Sequence, residues 1–199
     1  MKKIFIVTSN RADYGIMSNL IHLLKKEKNN RFKLIVTGSH LEKKYGYTIN
    51  EILADKINPD HIIKVSIKTT DPKKNIESIT SYMKNFSKFF YKQKPDLLIL
   101  LGDRYEIFSI AVSAFIHKIP IVHLYGGEST LGVFDDFFRY SISKTAKYHL
   151  VSNKLYKKKL VSLGAIKKNI FTVGSLGCEN IKQMNFEKQI NIEKKFKFK

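Results

Sequence analysis

The chain has 199 residues, 43% of them hydrophobic, which suits one globular domain with a sizeable core. Its 36 Lys and Arg against 17 Asp and Glu give +19. Only Arg11, Arg31, Arg104 and Arg139 are arginines and the Lys are scattered, for example over 154–159, which argues against a nucleic-acid reader built on Arg forks. The single Cys178 excludes an internal disulfide and a multi-cysteine metal site, and no apolar run approaches a membrane span, so a cytoplasmic chain without a membrane partner is expected.

The elements alternate along the chain. A first strand is predicted over Ile4–Thr8, then a polar loop NRADYG, then a helix over Ile16–Lys26 with apolar residues at Ile16, Leu20, Leu23 and Leu24. A strand over Phe32–Thr37, a short helix over Ile49–Ala54 and a weaker strand over Ile62–Val65 follow. A long helix over Ile76–Lys92 leads, past Pro95, into Leu97–Leu101, the most apolar strand. Helix Tyr105–His117, strand Ile119–His123, helix Asp135–Thr145, strand His149–Val151, helix Leu155–Leu163 and strand Ile170–Val173 complete the series. Continuous apolar strands, each followed by a helix, imply an α/β fold: a Rossmann-like, doubly wound parallel sheet buried on both faces. The domain is expected over 1–180, with 181–199 a Lys-rich frayed helix or tail.

In such sheets ligands bind beyond the carboxyl ends of the strands. Three polar segments fall there: NRADYG after the first strand, GDRYE after Leu101 and LYGGEST after His123. The positive charge would draw an anionic substrate to that edge. Arg11 has a fork suited to phosphate, or else simply pairs with Asp13. Gly102 permits a sharp turn presenting Asp103 and Arg104, although Asp103 is also placed to cap the helix that follows. Gly126 and Gly127 allow close backbone approach, with Glu128 beside them, or form an ordinary turn. Asp135 and Asp136 precede Arg139 at helical spacing, as a site or as first-turn acids complementing the helix dipole. His123 reads more readily as a core histidine than as a catalyst, and His149 still more so. The six His show no metal spacing, and no GxGxxG is present, so neither a metal nor a nicotinamide cofactor is expected.

TSNRADYG, TGSHL, LLGDRYE, HLYGGES, DDFFRYSISK and VGSLG, in this order, resemble the hydrolysing UDP-N-acetylglucosamine 2-epimerases of sialic- and legionaminic-acid pathways, from about Lys3 to Ile181. The resemblance implies a two-domain enzyme arranged like a B-type glycosyltransferase, of which this chain resembles the N-terminal domain only. A separate chain carrying the second domain, or a homo-oligomer, would complete it. It implies elimination of UDP from a UDP-N-acetylhexosamine and hydration of the glycal to the free 2-epimer, without a cofactor. By motif, Asp103 and Asp135 fall on catalytic positions, with Glu128 as a further candidate. Arg11, Gly15 and Arg104 fall on UDP-sugar contacts, and His123, Tyr125, Gly126, Gly127 and Arg139 belong to the same substrate-binding segments. The chain departs from the family at Tyr125, where members carry Glu or His, and a phenol of reference pKa about 10 is a poor base near neutral pH. It departs again near Cys178 and Glu179. A non-catalytic nucleotide-sugar-binding remnant or assembly subunit is the alternative.

Overall fold

The computed structural model describes residues 1–65, 71–129 and 134–183. Seven strands form one sheet: β1 (Lys2–Thr8), β2 (Asn30–Thr37), β3 (His61–Ile63), β4 (Leu97–Leu101), β5 (Ile121–Leu124), β6 (Tyr148–Val151) and β7 (Ile170–Thr172). The order is β3-β2-β1-β4-β5-β6-β7, and every pairing is parallel, with Ile4 opposite both Phe32 and Leu97 and His123 opposite His149. The expected doubly wound α/β architecture is therefore present, and all seven predicted strands are found within two residues of their expected bounds.

Among the described residues, seven α-helices connect and flank the strands: α1 (Arg11–Lys26), α2 (Ile49–Ala54), α3 (Pro72–Gln93), α4 (Tyr105–Ile116), α5 (Asp135–Thr145), α6 (Lys154–Ser162) and α7 (Leu176–Gln183). Alternation along the strands divides the core into two layers. Phe5, Val7, Leu98, Leu100 and Ile121 pack against Tyr82, Phe86 and Phe90 of α3, Ile107 and Ile110 of α4 and Ile142 of α5. Their neighbours Ile6, Leu34, Val36, Ile99 and Val122 pack on the other face against Tyr14, Met17 and Ile21 of α1 and Ile49 and Ile52 of α2. Burying strands on both faces is why they read as unbroken apolar runs.

Helix α1 begins at Arg11, five residues before the expected start, because the polar segment before Ile16 is itself a cap. The Asn10 side chain accepts from the Asp13 backbone N–H, and the Asp13 carboxylate accepts from Asn10 Nδ2 at 2.6 Å. The Asn10 side chain thus caps the helix, and Asp13 holds that side chain in place. The expectation of a loop over NRADYG is thus corrected to the first turn of a helix, with Gly15 inside it. Helix α3 likewise starts four residues early, on the Asp71 cap with Pro72 following. Helix α7, not foreseen, runs across the expected boundary at 180 and docks on α1, where Asn180 Nδ2 donates to the carbonyls of Gly15 and Ile16. The tail expected over 181–199 lies outside the described residues from 184 onward.

Candidate functional site

The switch in strand order lies between β1 and β4, and β5 is next to β4, so the loops leaving these three strands share one edge of the sheet. Side chains from the β4 and β5 loops meet around Arg139 of α5. Its guanidinium, on a side chain only 9% exposed, makes an ion pair with Asp103 from the β4 loop. Its other terminal nitrogen lies 3.6 Å from Glu128 of the β5 loop. Glu128 also accepts from the Ser152 hydroxyl at 2.7 Å, at the end of β6. One buried cation therefore holds two carboxylates from adjacent strand ends. Burial lowers the Arg139 pKa below its ordinary value without removing its charge in the physiological range.

Asp103 is consumed by this pair and does not cap α4. The cap position is Arg104, which makes no side-chain cap bond, so the capping alternative for Asp103 is overturned. Arg104 instead forks onto Glu106, with Nη2 to Oε1 at 2.9 Å and Nε to both oxygens at 3.2 Å. Glu106 is fully buried while 44% of the Arg104 side chain remains exposed, so the arginine is braced on a fixed base at the end of β4 and still open to solvent.

Behind Arg104, from the β1 side, stands Asp13, 7% exposed and accepting from the Ser9 hydroxyl and Asn10. Burial raises its pKa from 3.8 to about 6 against the opposing effects of these bonds and of Arg104. Asp13 is a titratable group of the site that the sequence reading used only as a possible partner for Arg11. Arg11 does not pair with it: its Nε meets Glu51 of α2 at 2.9 Å, on a side chain 73% exposed. The structure thus places Arg11 at the same sheet edge as Arg104 but turned toward α2. Gly15 lines an open cavity with Tyr14, Glu51, Asp55 and Asn180, and a Cβ there would meet nothing within 4 Å.

His123 is a positioning histidine. Fully buried, with its pKa lowered to about 4 by burial, it is neutral. The Gly102 carbonyl can only accept, so Nε2 carries the proton and donates to it at 2.7 Å, and Nδ1 accepts from the Ser143 hydroxyl at 3.0 Å. This pins the turn that presents Asp103. The double glycine serves the same packing. A Cβ on Gly126 would stand 3.0 Å from His123 Nδ1 and 3.1 Å from Ser143 Oγ. On Gly127, at φ +78°, it would stand 2.9 Å from Leu160 Cγ and from the Tyr156 carbonyl. Their close approach is thus to protein groups beneath the loop.

Tyr125, at φ +61°, turns its hydroxyl away from the carboxylates to Ser175 Oγ at 3.1 Å and the Gly177 N–H at 3.1 Å, tying β5 to the start of α7. Asp136 accepts from the Ser129 hydroxyl at 2.6 Å. Asp135, at the start of α5 and one turn before Arg139, makes no hydrogen bond or ion pair with a described residue. Ser143 and Ser152, which hold these groups, carry no local sequence signal because their partners are 20 or more residues away, whereas Glu106 stands two residues from Arg104 within the GDRYE segment. Among the described residues no group of three or more His, Cys, Asp or Glu is arranged to hold a metal, and no helix is long and apolar enough to cross a membrane.

Residues 22–199 match the family model described as UDP-N-acetylglucosamine 2-epimerase. The chain is 39% identical, over 98% of its length, to a polysialic acid biosynthesis protein of Escherichia coli, covering 50% of that protein. It is 39% identical, over its whole length, to the GDP/UDP-N,N'-diacetylbacillosamine 2-epimerase (hydrolyzing) of Campylobacter jejuni, covering 51% of it. Among solved structures, an S. aureus MnaA–UDP complex superimposes with TM-score 0.84 at 22% identity, over 100% of this chain and 52% of the other. UDP-GlcNAc 2-epimerase from Neisseria meningitidis bound to UDP-GlcNAc gives 0.79 at 20%, over 99% and 54%. The chain spans about half the length of the curated relatives it matches.

Proposed function

From the premise that this chain belongs to the UDP-N-acetylglucosamine 2-epimerase family, we propose that it supplies one wall of a hydrolysing 2-epimerase site for a UDP-linked 2-acetamido sugar. The equivalent of the relatives' second half supplies the other wall, and the enzyme works in the cytoplasm.

The observation that carries this reading is Arg139 gathering Asp103 and Glu128, with Asp135 one turn away on the same helix face. Elimination needs a base to take the C2 proton while the C1–O bond breaks and its electron pair leaves with UDP. The electrons of the C2–H bond become the C1–C2 double bond of the glycal. Hydration then returns a proton to C2 from the opposite face and hydroxide to C1. Carboxylates on either side of a sugar ring suit both transfers and steady the positive charge at C1. Asp135, untied to any described residue, is free to move a proton. Asp103 and Glu128, held by Arg139, are fixed in place beside the anomeric centre. Arg104, braced by Glu106 and partly exposed, takes the departing diphosphate, with Arg11 further along the same edge. Tyr125 serves the loop and leaves proton transfer to the carboxylates.

Turnover in heavy water tests this reading, with the second half of a relative supplied in trans. The free sugar must carry one deuterium at C2, because the proton returned there comes through solvent-exchanging carboxylates. Product with protium at C2 would rule the elimination out. UDP binding without any turnover would favour a binding subunit instead.

A further inference from the structure

The last strand of the sheet, β7, and the helix that packs on it, α6, form one end of the molecule. Residues 137–178, which include all of this end, contain no Asp or Glu, although the chain has 17 of them. Leu160 of α6 is fully buried on Val151 and Ile170. The opposite side of the helix is its outer side, where Lys154, Leu155 and Lys158 are exposed at the spacing of one face. Lys157 Nζ donates to the Ile170 carbonyl at 2.6 Å and ties the helix to β7. Past Gly164 the chain reverses, and exposed Ile166, Lys167 and Lys168 stand at the far end of α6, about 13 Å along its axis. Leu155 is 70% exposed and Ile166 61%, so apolar surface is interleaved with the cations. None of Lys154, Lys158, Lys167 and Lys168 makes an ion pair with a described residue.

We propose that this end of the domain rests on an anionic bilayer surface, with the four lysines at the lipid headgroups and Leu155 and Ile166 at the boundary with the acyl chains. Charge complementarity is the first argument: cations with no acid in their stretch of chain face outward together, and each lysine near an anionic leaflet strengthens binding about fivefold. The apolar pair is the second. Aliphatic side chains set among cations gain nothing from a nucleic-acid backbone, whereas at an acyl boundary they leave water. The outer side of a helix is also convex, which suits a deformable bilayer and offers an acidic peptide no groove to lie in. The expectation of no membrane partner rests on the lack of a membrane span, which a surface contact does not need.

The test is co-sedimentation of the full chain with vesicles of phosphatidylcholine and one-third phosphatidylglycerol, against phosphatidylcholine alone. The expected result is saturable binding to the anionic vesicles, absent on the neutral ones and lost as salt rises from about 0.1 to about 0.5 M. Lys154→Glu with Lys158→Glu is expected to weaken it at least tenfold, and Leu155→Ser at least threefold. Lys84→Glu with Lys88→Glu, the same charge change at the same spacing on exposed positions of α3, is expected to weaken it less than threefold. No binding to the anionic vesicles overturns the proposal. So does equal loss in the two double variants, which leaves only the net charge of the chain, or Leu155→Ser without effect. Tighter binding, per charge, of random duplex DNA or of polyglutamate overturns it in favour of that partner. Should the α6 double variant fail to fold by circular dichroism, Lys167→Glu with Lys168→Glu decides by the same thresholds. The assay reads binding without turnover, so its outcome is independent of the epimerase reading.

Discussion

Replacing Asp13 with Asn keeps the side-chain shape and removes a charge that the fold accommodates poorly. The carboxyl is 7% exposed, and burial outweighs the Ser9 and Asn10 bonds and the nearby Arg104 to raise its pKa from 3.8 to about 6. A raised carboxyl pKa means that the folded chain binds more protons than the unfolded one between these values. Its contribution is fully present below pH 3.8 and is lost as the pH rises through about 6. At about 1.4 kcal/mol per unit, the full penalty at pH 8 is of order 3 kcal/mol, most of it accumulating between pH 4 and pH 8. Asp13→Asn is therefore expected to gain on the wild type by of order 2 kcal/mol over that range. Urea unfolding followed by far-UV circular dichroism measures this, since the chain has no Trp to report by fluorescence. A stability gap that stays flat with pH, or a wild type that gains on the variant as pH rises, would refute the reasoning and show Arg104 to dominate.

Other expectations follow from the same contacts. Asp103→Asn takes a charged partner from buried Arg139 and is expected to cost about 1–3 kcal/mol of stability and at least 100-fold in turnover, read by urea unfolding and UDP release. Arg104→Ala strips both the crevice and Glu106 of their cation, so calorimetric UDP affinity is expected to fall at least tenfold. Gly127→Ala forces a Cβ to 2.9 Å from Leu160 and the Tyr156 carbonyl at φ +78°, a loss of about 2–3 kcal/mol measurable by thermal melting. Tyr125→Phe removes the acceptor of the Gly177 N–H, so that amide is expected to exchange faster with solvent while the strands keep their protection.

Much of this molecule is legible in its residues, and the reason is burial. Strands enclosed on both faces must be apolar throughout, so Ile4–Thr8 and Leu97–Leu101 announce themselves, and their alternation with helices fixes the topology that brings three loops together. Asp103, Glu128 and Arg139 could be nominated because Gly102 and the double glycine mark backbone turns at strand ends. What fills the space under those glycines was not legible: Gly126 approaches His123 and Ser143, contacts that exist only once α5 has packed. The start of α1 was obscured because Asn10 and Asp13 form a cap from residues that read as a loop, although an Asn followed three residues later by Asp is itself a cap signal. Asp13 emerged as a site group only through its burial beside Arg104. Helix α7 was hidden because its anchor is tertiary, with Asn180 on α1 and Ser175 and Gly177 on Tyr125.

The most direct measurement is stoichiometric. The full chain, alone and with the second half of a relative in trans, is incubated with UDP-N-acetylglucosamine and, separately, UDP-N,N'-diacetylbacillosamine, and UDP and free sugar are followed together. The account predicts one UDP for each free 2-epimer from at least one substrate, abolished by Asp103→Asn. Release of UDP with sugar of unchanged configuration would contradict it, as would no release while the supplied half is shown to bind.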